Sequence, residues 1–182
     1  MKSLFLVRHA KSSWDYPELS DFERPLNKRG KKDAPLMGEV FNKLNIKPDQ
    51  IISSPAVRAI TTARTIAESI NYPVENIKTI EAIYEVGTKD LLELIRSTDN
   101  KINSLMIFGH NPALTLLSND IGDKYIDNIP TCGMTAIEFD INNWRDLKSE
   151  SGKIKLFEFP KKYKNCLLYT SPSPRDRTRS RM

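Results

Sequence analysis

Apolar positions along this chain follow two different periods. Residues 3–8, 50–53 and 104–109 are short, nearly continuous apolar runs, β-branched or aromatic and bounded by polar turns. Strands buried on both faces of a parallel sheet have this character. Residues 134–139 and 154–159 alternate apolar and polar, which predicts two further strands, paired at a sheet edge. Helical spacing fills the intervals. Ala56, Ala59, Ile60, Ala63, Ile66, Ala67 and Ile70 recur at three and four, with Ser54 as N-cap and Pro55 as first helical residue. A second stripe, Met37, Val40, Phe41 and Leu44, follows a turn at Asn27 to Gly30, with Pro35 restarting or kinking that helix. Thr88 caps a third helix carrying Leu91, Leu92 and Ile95, and a fourth opens at Asn111-Pro112 and runs through Leu114, Leu117 and Ile121. The order β-α-β-α-(β)-α-β-α-β-β predicts a three-layer α/β/α fold with a mostly parallel central sheet.

Composition narrows the class. A chain of 182 residues, 39% hydrophobic and 28% charged, suits one soluble domain, and no apolar run approaches the ~20 residues that cross a bilayer. No membrane is expected as a partner. The start, Met1-Lys2-Ser3, shows no export signal, and Cys132 and Cys166 form neither a disulfide framework nor a CxxC pair, so a reducing cytoplasm is expected. Near Asn165 the composition changes abruptly to a Ser, Pro and Arg-rich stretch. We therefore expect a domain at 1–165 and a disordered, non-native tail at 166–182. The tail holds four arginines against Asp176, so removing its +3 from the formal +5 leaves the body at +2. So small a charge does not predict a nucleic-acid partner.

The candidate chemistry lies at strand ends. The two histidines, His9 and His110, each follow a predicted strand, and ligands of open α/β sheets bind outside the carboxyl ends of their strands. Arg58, in Ser53-Ser54-Pro55-Ala56-Val57-Arg58, falls in the first turn after the second strand, and the Asn111-Pro112 helix would aim free N–H groups at the same crevice. With Arg8, and Arg24 from the loop Phe22-Glu23-Arg24-Pro25-Leu26, these groups form an anion site suited to phosphate, whose oxygens match guanidinium forks. A neutral imidazole among arginines can attack phosphorus. No metal and no organic cofactor is expected, because two histidines 101 residues apart lack a supporting carboxylate motif.

Val7-Arg8-His9-Ala10, Arg24-Pro25-Leu26, Ser53-Ser54-Pro55-Ala56-Val57-Arg58-Ala59 and Phe108-Gly109-His110-Asn111-Pro112 resemble the histidine phosphatase superfamily, with its phosphoglycerate mutase-like fold. Within it, the chain resembles the short SixA-type phosphohistidine phosphatases over roughly residues 1–160. The resemblance implies His9 as nucleophile, Arg8 and Arg58 as phosphate ligands, and His110 as a second ligand to the transferring phosphoryl group. It implies Arg24 as a further substrate ligand. Glu85 resembles the superfamily's general acid, with Asp21 and Glu81 as fallbacks. Ala10 departs from the pattern, since most of the superfamily has glycine there, and a backbone with φ > 0 would be strained by a Cβ.

The expected function is hydrolysis of a phosphoryl group through phosphohistidine at His9, the substrate being a phosphohistidine-bearing protein. A small-molecule phosphomonoesterase is the rival within the enzyme class, and a non-catalytic phospho-ligand-binding module the rival outside it. Asn111 serves as substrate ligand or, more simply, as a helix cap. Lys28-Arg29, Lys31-Lys32 and Lys161-Lys162 read as solvated faces, or as basic residues near a pocket rim that could meet an acidic protein. Cys132 is assigned no role.

Overall fold

The computed structural model describes residues 1–85 and 87–167, the last three of these through their backbone alone. Six strands, β1 (Lys2–Arg8), β2 (Gln50–Ser53), β3 (Lys78–Thr79), β4 (Ser104–Gly109), β5 (Met134–Phe139) and β6 (Gly152–Glu158), form one sheet in the order β3-β2-β4-β1-β5-β6. β1, β2, β3 and β4 pair in parallel, and β5 pairs antiparallel with both β1 and β6. The alternating segments thus make an antiparallel pair at one edge, as their pattern predicts. The helices are α1 (Lys28–Lys43), α2 (Val57–Ser69), α3 (Thr88–Arg96), α4 (Ala113–Ile121) and α5 (Lys161–Leu167).

Strand pleating divides the core in two. Leu4, Leu6, Leu105 and Ile107 face the cluster that takes in Leu91 and Ile95 of α3 and Leu114, Leu117 and Ile121 of α4. Val7, Met106 and Phe108 face the other, with Met37 and Phe41 of α1 and Ala63, Ile66 and Ala67 of α2. The central strands read as continuous apolar runs because both faces are covered. α1 and α2 pack closely: a Cβ on Gly38 would lie 2.3 Å from Ser69 Oγ. Gly30 is tighter still, since its Cβ would fall 2.2 Å from the Lys11 carbonyl oxygen, a backbone atom with no freedom to yield. Lys2 closes the far end of β1, buried and donating through Nζ to the carbonyls of Asn100 and Ile102 and to Asn103 Oδ1.

Several local expectations need correction. Helix α2 begins at Val57 with Ala56 as its cap residue, not at Pro55 behind Ser54. The Ser54 hydroxyl accepts from the Ala56 N–H at 3.3 Å and so braces the turn before the helix. Thr88 is the first residue of α3, and Gly87 stands at the cap. α4 begins at Ala113 behind Pro112. Pro35 lies inside α1 without ending it, and Leu44, just past the helix, is exposed. α5 runs through Leu167, so the change in composition at Asn165 falls within a helix. Residues 168–182, most of the expected tail, lie outside the described residues. Among the described residues, no helix is long and apolar enough to cross a membrane.

Candidate active site

Three parallel strands end side by side. Arg8 pairs in register with Gly109, the His9 N–H donates to the Gly109 carbonyl at 3.1 Å, and the Ser54 N–H donates to the Phe108 carbonyl at 2.9 Å. The sheet ladder therefore brings His9, His110 and the start of the Arg58 helix to one rim. The two imidazole rings lie 5.0 Å apart between centroids.

His9 is 9% exposed, and its Nδ1 lies 2.8 Å from the Ala10 carbonyl. A carbonyl can only accept, so Nδ1 carries the proton and Nε2 keeps a bare lone pair. Burial lowers the His9 pKa to about 3; the Ala10 hydrogen bond opposes this, while His110, Arg58 and Arg8 add to it. Burial, then Arg58 and Arg8, lower His110 to about 4 against the opposing pull of Asp21. Both rings are neutral at pH 7. Ala10 is buried, its N–H donates to Thr62 Oγ1 at 3.0 Å, and it is absent from the positive-φ residues Asn45, Asn71, Cys132 and Glu150. This loop geometry accommodates alanine without backbone strain.

The arginines are fixed by different partners. Arg8 Nη1 donates to the Ile129 carbonyl at 2.8 Å, and Asn111 Nδ2 donates to Asn128 Oδ1 at 2.7 Å and to the same Ile129 carbonyl at 3.2 Å. Asn111 is thus a brace for the 128–129 loop rather than a helix cap. Both Arg58 nitrogens are directed to Asp21, Nη2 to its carboxylate at 2.8 Å and Nη1 to its carbonyl. Arg24 pairs with the same carboxylate at 3.0 Å, donates to Ser12 Oγ, and stacks 3.4 Å from the Trp14 ring centroid. Burial alone would raise Asp21, but hydrogen bonds from Tyr84 and Arg58 and the charges of Arg58 and Arg24 outweigh it and hold the carboxyl below its usual range. An ionised Asp21 is poorly suited to donate a proton.

His110 Nε2 lies 2.9 Å from Ser54 Oγ, while His110 Nδ1, Arg8 Nε and Arg24 Nε are buried without a hydrogen-bond partner among the described residues. A bound oxyanion would offer acceptors to such donors. Glu85 is exposed and shares a cleft of about 240 Å³ with His110 and Asn111. Glu81 and Glu85 also line a neighbouring cleft with Phe22 and Tyr84. Cys132 sits beneath the loop, its N–H shared by the Arg8 and His9 carbonyls; burial pushes its thiol far up, which makes it inert. No group of three or more His, Cys, Asp or Glu side chains among the described residues is arranged to hold a metal ion.

Sequence reasoning missed Tyr84, whose hydroxyl donates to Asp21 at 2.9 Å, and the linking roles of Asp21, Ser12 and Ser54. Ser54 alone could have been found, because it lies within a matching motif.

A sequence model of the histidine phosphatase superfamily (branch 1) matches residues 4–91. An uncharacterised chloroplast protein of Arabidopsis thaliana is 28% identical over 159 residues, covering 83% of this chain and 72% of its own. Among solved structures, one from Agrobacterium tumefaciens assigned as the phosphohistidine phosphatase SixA is similar with a TM-score of 0.74 and 26% identity, covering 87% of this chain and 98% of its own. A SixA protein histidine phosphatase in complex with tungstate gives 0.73 at 18% identity, over 89% and 99%. In its strand order and its paired histidines at adjacent strand ends, the chain is similar to the histidine phosphatase superfamily. Its fold is like that of the two SixA structures just described. This likeness supports a phosphatase activity.

The depressed histidines define an acid response. An unfolded histidine binds its proton near pH 6.5, whereas these bind only near 3 and 4, so between those limits the unfolded chain holds more protons. Stability is complete above pH 6.5 and falls on acidification, each histidine adding a slope of at most ~1.4 kcal/mol per pH unit. With only two histidines in the chain, NMR can follow each ring, and neither should titrate between pH 8 and pH 5. A midpoint near 6.5 for His9 would contradict the burial effect.

Proposed function

We propose that the chain hydrolyses protein phosphohistidine in the cytoplasm, without a metal, through a covalent intermediate on His9. Nε2 attacks phosphorus and the leaving group departs on the opposite side with its bonding electrons. Arg8, Arg58, Arg24 and His110 hold the phosphoryl oxygens as charge spreads over them. Water then attacks the phosphohistidine, releasing phosphate and returning the lone pair to Nε2. The observation that carries this reading is the His9 tautomer: a buried neutral ring with Nδ1 tied to Ala10 and Nε2 bare, beside arginines.

Substrate and acid are linked. A phosphoramidate leaves through an imidazole nitrogen that accepts a proton readily, whereas an ester alkoxide needs a donor. Glu85 lines the His110 cleft but makes no ion pair or side-chain hydrogen bond among the described residues, so a phosphohistidine substrate asks least of it. Its position also favours a second reading, hydrolysis of small esters with Glu85 as acid.

The test is phosphate release from a phosphohistidine protein and from p-nitrophenyl phosphate, with EDTA present. We expect turnover of the phosphoprotein, and a Glu85→Gln rate on the ester lowered by ~10² or more with little change on phosphohistidine. Turnover of the ester alone would move the assignment to a small-molecule phosphatase; silence on both would leave a phosphate-binding module. Strong inhibition by EDTA would overturn the metal-free scheme.

A further inference from the structure

The basic runs near the start of α1 and around α5 are separated by more than a hundred residues in sequence, but the fold brings them together. α1 starts where the loop after β1 ends, and Gly30 packs against Lys11, two residues beyond His9. α5 follows β6, which runs in the direction of β1 because each pairs antiparallel with β5. Both therefore reach the end of the sheet that carries the histidines. Between them lies a cleft of about 450 Å³ lined by Lys28, Arg29, Lys32, Asp33, Leu36 and Lys164.

Asp33, fully buried, holds Lys164 Nζ at 2.7 Å and Arg29 Nε at 3.2 Å, and so ties α5 to α1. Lys28 and Lys32 have no acidic partner among the described residues, which leaves the cleft with four cations against one carboxylate. The cleft also adjoins the site: Cys132, whose N–H holds the Arg8 and His9 carbonyls, feels the charge of Asp33.

Fold stability does not account for this arrangement. The N-terminus of a helix carries partial positive charge, so cations there are unfavourable. Yet the first turn of α1 contains no acid, and Lys28, Arg29, Lys31 and Lys32 fall within its first five residues. An anionic ligand would turn both the dipole and the lysines into attractions. Nucleic acid fits poorly, because among the described residues the lining has no aromatic side chain for base stacking and its one apolar member is the aliphatic Leu36.

We propose that this cleft docks an acidic segment of the phosphoprotein substrate, with Lys28 and Lys32 as its free cations, and thereby presents the phosphorylated residue to His9. The identity of the partner rests on the phosphohistidine-protein reading; the acidity of the ligand does not. Charge at an interface rim sets association and its salt dependence more than it sets chemistry.

The experiment uses the full chain and the double variant Lys28→Glu/Lys32→Glu. The Lys28 change places an acid in the first turn of α1 and should not weaken the helix, which circular dichroism checks. Fluorescence anisotropy reads binding of a labelled ten-residue Asp/Glu-rich peptide, with a neutral peptide and a uridine oligonucleotide as comparisons. In the variant, peptide affinity should fall roughly tenfold at low salt, and KM for the phosphohistidine protein should rise by a similar factor. Turnover of p-nitrophenyl phosphate should not change. Equal peptide binding by both proteins would overturn the proposal, as would tighter binding of the oligonucleotide than of the peptide. Failure of phosphoprotein turnover in the wild type would instead strike the catalytic reading, since the peptide is bound without reaction.

Discussion

Replacing His9 by alanine is expected to lower phosphate release by roughly 10⁴- to 10⁶-fold, the range seen when a nucleophile is removed. Among the described residues, no other side chain near the rim is placed to substitute. The Cys132 thiol is buried and held protonated, and the second imidazole, on His110, is engaged with Ser54. The covalent scheme adds a second readout. Brief exposure of the wild type to a ³²P-labelled phosphohistidine protein should leave acid-labile label on the chain, and His9→Ala should trap none. Because Ala10 makes its bonds through the backbone and the neighbouring strands hold the loop, truncation of the ring should leave the fold intact. A variant that folds and still turns over within tenfold of the wild type would remove His9 as nucleophile.

Arg58→Lys should cost ~10² to 10³ in kcat/KM on either substrate, although the formal charge is kept. The reason lies in how Arg58 is held. Its two terminal nitrogens both meet Asp21, by carboxylate and by carbonyl, and the side chain is 6% exposed, so the fork is oriented before any phosphate arrives. An ammonium cannot make that pair of contacts, nor offer two parallel donors to a phosphoryl group. Steady-state kinetics on the phosphohistidine protein and on p-nitrophenyl phosphate should show the same loss, because on the proposed mechanism Arg58 meets the transferring group and not what it leaves. A loss confined to one substrate would place Arg58 on the leaving-group side.

The sheet was legible because its central strands are covered on both faces. Leu4, Leu6, Val7 and Leu105 to Phe108 are all buried, and such runs can be read without knowing their neighbours. β3 has only two residues, Lys78 and Thr79, both exposed, and carries no apolar signal. The helix start misread at Ser54 has a physical cause: a hydroxyl at a turn is free to serve other contacts, and Ser54 meets His110. His9, Arg8, Arg58 and His110 fall together because strand ends in a parallel sheet share a rim, a rule of topology that a sequence can carry. The loop from residue 10 to 27 follows no such rule. Asp21 meets Arg58 across 37 positions and Trp14 stacks on Arg24 through tertiary packing, which spacing does not encode. Glu85 could be brought to the cleft by resemblance, but its separation of 27 residues from Arg58 says nothing of contact.

The strand that leads into His9 precedes both of its sheet neighbours along the chain, yet it lies in the middle of the sheet, between β4 and β5. Both neighbours are synthesised later, from residues 104–109 and 134–139. A nascent chain therefore displays His9 long before it possesses the second imidazole, the carbonyl that receives the His9 N–H, or the loop that steadies Arg8. On the proposed mechanism, competence therefore waits for β4, His110 and β5, and an unfinished chain lacks an assembled phosphate site.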